Sequence, residues 1–161
     1  IKKSFSKNFE GRVSYTYQEA KGIGVDNYGK LTGKETWLDW DIRHALAVSF
    51  NAELPYSIFL NGVYSYRSGY PYTSEYLVRD EETDQLERKQ DKVNESREPY
   101  YSNFDVTVMK EFKVRDYTLT MLVQAYNLFD HSNVSHMDVL KQEPDGYSAG
   151  RRLQFGIKFE F

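Results

Sequence analysis

Side chains able to do acid–base, nucleophilic or metal chemistry are few in this chain and poorly spaced for it. His44, His131 and His136 have no second His or Cys at ligand spacing, and cysteine is absent altogether. That removes thiolate metal sites, redox thiols and disulfides. Asp80-Glu-Glu-Thr-Asp84 has carboxylates of the kind that hold Ca²⁺. It lacks the glycine turn and distal Glu of an EF-hand loop, so it reads as a solvated acidic loop. No nucleophile elbow frames any serine. The chain therefore reads as a non-enzyme, with no catalytic residue, no metal ligand and no cofactor site. A net charge of −3 without a basic stripe excludes a nucleic-acid partner.

The informative chemistry is amphipathic. In Gly150-Arg-Arg-Leu-Gln-Phe-Gly-Ile-Lys-Phe-Glu-Phe161, residues Leu153, Phe155, Ile157, Phe159 and Phe161 fall on one face and Arg152, Gln154, Lys158 and Glu160 on the other. Period-two alternation of this kind is a β-strand with one apolar and one wet face. Five more such stretches precede it: Phe9–Tyr17, Trp40–Leu54, Ile58–Arg67, Tyr100–Phe112 and a fifth through Leu119–Ala125. Lys110 interrupts an apolar face near one end, where a long side chain can snorkel to an interface. No run approaches the roughly 20 apolar residues of a membrane-spanning helix. Strands of ~10 residues, by contrast, are long enough for a transmembrane barrel.

Connection lengths and aromatic placement bear on what the apolar faces meet. Turns at Leu54–Ser57 and Lys113–Asp116 are about four residues long, whereas the other three connections run to roughly 17–30, the asymmetry of outer-membrane barrels. The stretch from about Glu19 to Glu35 is polar and Gly-rich. Arg79–Arg97 is charge-dense with almost no large apolar residue, and reads as a solvated or mobile loop. Phe9, Phe112, Tyr117, Phe159 and Phe161 gather at the short-turn end. Tyr15, Tyr17, Trp37, Trp40, Tyr66, Tyr70, Tyr100 and Tyr101 gather at the long-loop end, with aliphatics between. Two aromatic girdles around an aliphatic belt suit a bilayer, because amphipathic rings prefer the headgroup level. The fold expected is all-β, an antiparallel transmembrane β-barrel with long extracellular loops and short periplasmic turns. A soluble β-sandwich binding module is the competing reading. Six strands are too few to close a barrel, for which about eight is the practical minimum. With the start at Ile1 rather than Met, that points to upstream strands outside residues 1–161.

Five motifs then carry a family resemblance. Arg97-Glu-Pro-Tyr-Tyr-Ser-Asn-Phe-Asp-Val-Thr-Val-Met-Lys-Glu-Phe112 resembles the R-x-P…N-x-D…K-x-F strand of TonB-dependent outer-membrane receptors. Gln124-Ala-Tyr-Asn-Leu-Phe-Asp-His-Ser-Asn133 is similar to their NLFD…N segment, and Gly150–Phe161 to their closing strand with its terminal Phe. Asp41-Ile-Arg-His44 and Ser68-Gly-Tyr-Pro-Tyr-Thr73 resemble motifs of the Bacteroidetes-type branch, where Gln is commoner at the position of Ile42. The resemblance implies that residues 1–161 are the last strands of a 22-stranded barrel in the bacterial outer membrane. It implies active uptake of a nutrient, with a plug domain and a segment contacting the TonB energy-coupling complex upstream. Further implied partners are the barrel-assembly machinery, outer-membrane lipid and lipopolysaccharide, and a surface lipoprotein lid. Asp41, Arg43, Arg67, Asp105 and Arg152 are the candidates for substrate or plug contact, with pairing among themselves in the lumen as the competing reading for most of them. Ile157, Phe159 and Phe161 are the candidate barrel-assembly signal. A non-transport barrel, acting as an adhesin or as a structural component of a surface assembly, is the alternative function.

Overall fold

A computed structural model describes residues 1–6 and 8–161. Its strands, in chain order, are β1 Lys2–Ser6, β2 Phe9–Tyr17, β3 Lys21–Val25, β4 Leu31–Trp37, β5 His44–Leu54, β6 Ile58–Arg67, β7 Pro71–Tyr72 and β8 Glu75–Arg79. They continue as β9 Leu86–Gln90, β10 Ser96–Arg97, β11 Tyr101–Val114, β12 Tyr117–Tyr126, β13 Val134–Asp138, β14 Glu143–Tyr147 and β15 Arg152–Glu160. No helix occurs among the described residues. The protein is all-β and every pairing is antiparallel.

One sheet dominates, in the order β1-β2-β5-β6-β11-β12-β15, and it is open at both edges. Register keeps side-chain parity across it. Val13 pairs with Val48, Val48 with Tyr64 and Tyr64 with Phe104; Val108 pairs with Val123 and Val123 with Phe155. Since paired residues in an antiparallel ladder share a face, the apolar sets of all six sequence-expected strands merge into one surface. The ladders are also staggered. β11 continues past Lys110, which pairs with Ile58 at the start of β6, to Val114, so successive strands are offset along their length.

Neither face is covered. Among the described residues only Ala125 and Met137 are buried hydrophobics, while Val13, Val123, Leu153, Phe155 and Ile157 expose between 40% and 77% of their surface. The other four sheets are two-stranded pairings: β3–β4, β8–β9, β7 with β10, and β13–β14. All of them fall in the connections Gln18–Arg43, Ser68–Tyr100 and Asn127–Arg151, which leave the same end of the large sheet. The opposite end carries tight turns at Asn8, at Tyr56-Ser57 and at Arg115, each with positive φ.

Several expectations change. β1 is a strand that alternation does not reveal, since Lys2-Lys3-Ser4-Phe5-Ser6 has no apolar face. Strand β5 starts at His44, because Trp40 lies in the Leu38–Asp41 turn that buries Asp41, and Ile42 and Arg43 lead from it into the strand. The stretch at 79–97 is structured: Arg79 ends β8, β9 follows, and Ser96-Arg97 pairs with Tyr72 and Pro71. Glu19–Glu35 likewise contains the β3–β4 hairpin. Trp37, Tyr70 and Tyr101 do not belong to the apolar belt. Tyr101 pairs with Arg67 on the polar face, and all three rings stack on cationic side chains.

Candidate functional site

Buried polar groups concentrate where the long connections leave the sheet. The turn Leu38–Asp41 closes through the Asp41 N–H donating to the Leu38 carbonyl at 2.8 Å, and it drops the Asp41 side chain into a site with no exposed surface. There Asp41 Oδ1 accepts from the Ala20 N–H at 2.6 Å, and Oδ2 takes the Arg97 guanidinium. Arg97 Nη1 also donates to the Asp41 and Gly69 carbonyls, at 2.9 and 3.1 Å. Gly69 is required at this junction, because an added Cβ would lie 1.8 Å from the Glu98 carbonyl oxygen. Burial pushes the Asp41 carboxyl up, but the hydrogen bonds from Arg97 and Ala20 and the charges of Arg97 and Arg43 outweigh it. The pKa settles below the usual carboxylate range.

Trp37 extends this latch. Its ring carries the Lys21 ammonium at 4.1 Å and the Arg43 guanidinium at 4.0 Å. Buried Asn94 donates through Nδ2 to the Trp37 carbonyl at 2.8 Å and to Asp39 at 2.7 Å. Asn27 Nδ2 donates to buried Glu75 at 2.6 Å, and the Glu75 N–H donates to the Val139 carbonyl at 2.9 Å. All three long connections are thereby tied together through polar side chains. Between β4 and residues 90–95 lies a hollow of about 670 Å³. Lys21, Lys30, Lys34 and Lys92 line it together with Asp26, Glu35, Asp91 and Glu95, a charge balance that selects no ligand.

A second latch holds the third connection. Asp105 Oδ1 accepts from Asn103 Nδ2 and from the Asn127 N–H, both at 2.9 Å. Asn127, at φ 50°, exchanges two 3.0 Å hydrogen bonds with the His131 backbone. Asn133 pairs its amide with both backbone groups of Ser102, at 2.8 and 2.9 Å, imitating a strand partner. The Asp130 carboxylate caps the Arg151 N–H at 2.7 Å, passing 2.9 Å from where a Cβ on Gly150 would sit.

The sequence candidates separate on these facts. Asp41 is wholly enclosed, so it anchors loops and offers no surface to a substrate or plug. Arg43 sits beside it at 3.8 Å and stacks on Trp37. Arg67, Asp105 and Arg152 share the polar face. Asp105 and Arg152, the latter paired with Tyr126, border one hollow of about 250 Å³, lined also by Tyr101, Asn103 and Asn133. Arg67 borders an adjoining hollow of about 280 Å³ with Ser14, Thr16, Ser65 and Tyr101. Ile157, Phe159 and Phe161 expose 73%, 57% and 97%. Phe159 stacks on Tyr117 at 5.5 Å and neighbours Phe161 at 6.2 Å. Lys110, among apolar neighbours, brings its ammonium to 5.3 Å from Phe112 and 6.0 Å from Tyr56, toward the short-turn end.

Arg97, Asn94 and Trp37 had no assigned contact in the sequence. The available signal was Arg97-Glu-Pro99 at the close of a charged stretch, an unusual place for an arginine to be held still. No metal-holding group of three or more His, Asp or Glu occurs among the described residues. Asp80 spends Oδ1 on the Glu82 and Thr83 N–H groups and on the Thr83 hydroxyl, while Asp84 pairs with Arg79 at 2.6 Å. The acidic run is thus a turn former. Comparison with protein-family models, curated proteins and solved structures returns no match.

Proposed function

We propose that this chain is a section of wall from a transmembrane β-barrel of the bacterial outer membrane, within a TonB-dependent receptor that takes up a nutrient. The observation carrying the proposal is the uncovered apolar face of the seven-stranded, staggered sheet. It has aromatic clusters at both ends, tight turns at one and tied loops at the other. At the long-loop end stand Tyr15 and Tyr17 about His44, Tyr66 and Tyr100 beside His131, and Phe104 against Phe129. A water-soluble protein would leave this face as a contiguous patch far larger than monomers usually expose. In lipid it is the ordinary outside of a barrel.

On this reading the polar face is the lumen, and Asp41 and Asp105 hold the outer loops rather than ligand. Seven strands leave backbone groups of β15 unpaired at an edge, at several kcal/mol each in hydrocarbon, so further strands complete the wall. Ile157 and Phe159 on that edge strand, with Phe161 just past its end, are the surface offered to the assembly machinery.

The test uses the absence of cysteine from residues 1–161, with any cysteine elsewhere in the full-length protein replaced by serine. Single cysteines at Met121, Val123, Phe155 and Ile157, and at Thr120, Gln124, Gln154 and Lys158, are spin-labelled in the full-length protein reconstituted in liposomes. The first set should be accessible to oxygen and the second to a water-soluble nickel chelate, in strict alternation. Loss of that alternation would rule the barrel out. Nutrient uptake left unchanged in cells that lack this protein would keep the barrel but replace transport by an adhesive or structural role.

A further inference from the structure

Two guanidinium groups on the polar face have aromatic seats and no anion. Arg67 lies over Tyr101 at 4.4 Å and Tyr70 at 5.1 Å, and Arg152 over Tyr126 at 5.2 Å. Among the described residues neither has a carboxylate within 4.0 Å or a side-chain hydrogen bond. Stacking seats the flat cation while leaving its edge N–H groups free, the arrangement a planar carboxylate or a phosphate meets with two parallel bonds. Nearby acids do not compete well. Asp105 already accepts two hydrogen bonds at Oδ1. Burial pushes the Glu98 carboxyl up despite the opposing pull of Arg67.

The charge pattern along the strands agrees. Toward the long-loop end the polar face carries Arg67 and Arg152 around the engaged Asp105. Toward the short-turn end Glu10, Glu53, Glu111 and Glu160 are balanced by Lys2, Arg12, Lys113 and Lys158, the last paired to Glu160 at 2.7 Å. An anion entering from the loop side therefore meets its unbalanced positive charge in the first zone. Tyr101 lines both hollows, of about 280 and 250 Å³, and stands between them. Two discrete anionic groups fit that division better than a continuous acidic polypeptide.

We infer that the outer half of the polar face receives a small anionic substrate, one carboxylate or phosphate group at Arg67 and another at Arg152. The inference rests on the barrel reading, in which this face is the lumen. The test is calorimetric titration of the full-length protein in detergent with citrate, with inorganic phosphate and with maltotriose as a neutral control. Citrate should bind more tightly than phosphate, and maltotriose should not compete. Arg67→Gln and Arg152→Gln should each weaken citrate about tenfold, the loss expected for one bidentate charged contact. Lys113→Gln should change nothing. The site is overturned if neither anion binds, or if Lys113→Gln weakens citrate as much as the arginine variants do. It is also overturned if those variants leave citrate binding intact and instead expose a lumenal polypeptide to protease, which would assign the arginines to a protein occupant. Spin-label accessibility on the same preparations separates the two ideas. Alternation retained without anion binding removes the anion site alone, whereas alternation lost removes the barrel and the site together.

Discussion

At the residue scale the decisive group is Asp41, a carboxylate with no exposed surface whose partners come from three separate stretches of chain. Removing one member of a buried ion pair leaves the other uncompensated, which costs more than the intact pair contributes. Arg97 keeps 23% of its side chain exposed, so Asp41→Asn should cost about 3 kcal/mol, the low end of the range for breaking a buried pair. The Ala20 amide, which donates to Asp41, is the reporter. Its hydrogen exchange should quicken about a hundredfold in Asp41→Asn and in Arg97→Gln, with the double variant losing less than the sum. Unchanged Ala20 exchange would mean that the loops hold without the latch. Acid should act in the same direction. The folded-state pKa is lowered, so the contribution is complete above the ordinary carboxylate value of about 4. It is lost as pH falls through the lowered value. The latch was not legible in the sequence because Asp41 and Arg97 stand 56 positions apart, and nothing local to either names the other.

At the element scale, one device recurs in the loop hairpins. Asp80 and Asp138 each accept backbone N–H bonds two and three positions ahead through Oδ1. Each also takes at its carbonyl the N–H of the fourth residue ahead, Asp84 or Gln142, which lies in the left-handed region at φ 56° or 59°. Asp26 does related work in the β3–β4 turn, accepting from the Tyr28 and Lys30 N–H groups ahead of Gly29 at φ 77°. These backbone hydrogen bonds are the first cause that holds all three carboxyls below their ordinary range. Asp80→Ala should therefore loosen β8–β9, while Asp80→Asn, which accepts the same bonds, should leave it closed. As pH falls below about 4, through the lowered carboxyl values, the three hairpins should open together, visible as faster amide exchange in β3, β8 and β13. Equal exchange in Asp80→Ala and the parent would show that strand pairing alone suffices. The hairpins escaped the sequence reading because their strands, such as Leu86-Glu-Arg-Lys-Gln90, are too polar to alternate. Their turn signal is an aspartate rather than a Gly or Pro pair. The long strands were legible for the opposite reason, since a one-residue slip would turn Val13, Val48 or Val123 to the wrong face. The same parity put Arg67, Asp105 and Arg152 together, while the cation stacking that draws Trp37, Tyr70 and Tyr101 off the apolar belt leaves no periodic trace.

At the scale of the whole molecule, the sheet distinguishes its two faces by chemistry and its two ends by loop length, and a bilayer is the environment that uses both distinctions at once. Val123 sits near the middle of β12 on the uncovered face, paired with Val108 and Phe155. Its neighbour Gln124 points to the polar face and pairs with Thr107 and Gln154. An arginine at the hydrocarbon midplane of a barrel costs about 2–4 kcal/mol, and near an interface about 0–1. Val123→Arg should therefore destabilise the full-length protein by about 2–4 kcal/mol in equilibrium denaturation from liposomes, and Gln124→Arg by less than about 1. Phe159→Arg, beside Tyr117 at the short-turn end, should fall nearer the second value, because in the proposed bilayer its guanidinium would reach the headgroup level, toward which the Lys110 ammonium also extends. A protein core under the apolar face would reverse that last comparison, since Phe159 would then lose its packing without any interface to reach. Comparable losses at Val123 and Gln124 would mean that the faces are not divided between lipid and water, and the depth dependence along a single face is what separates a bilayer from every other apolar partner.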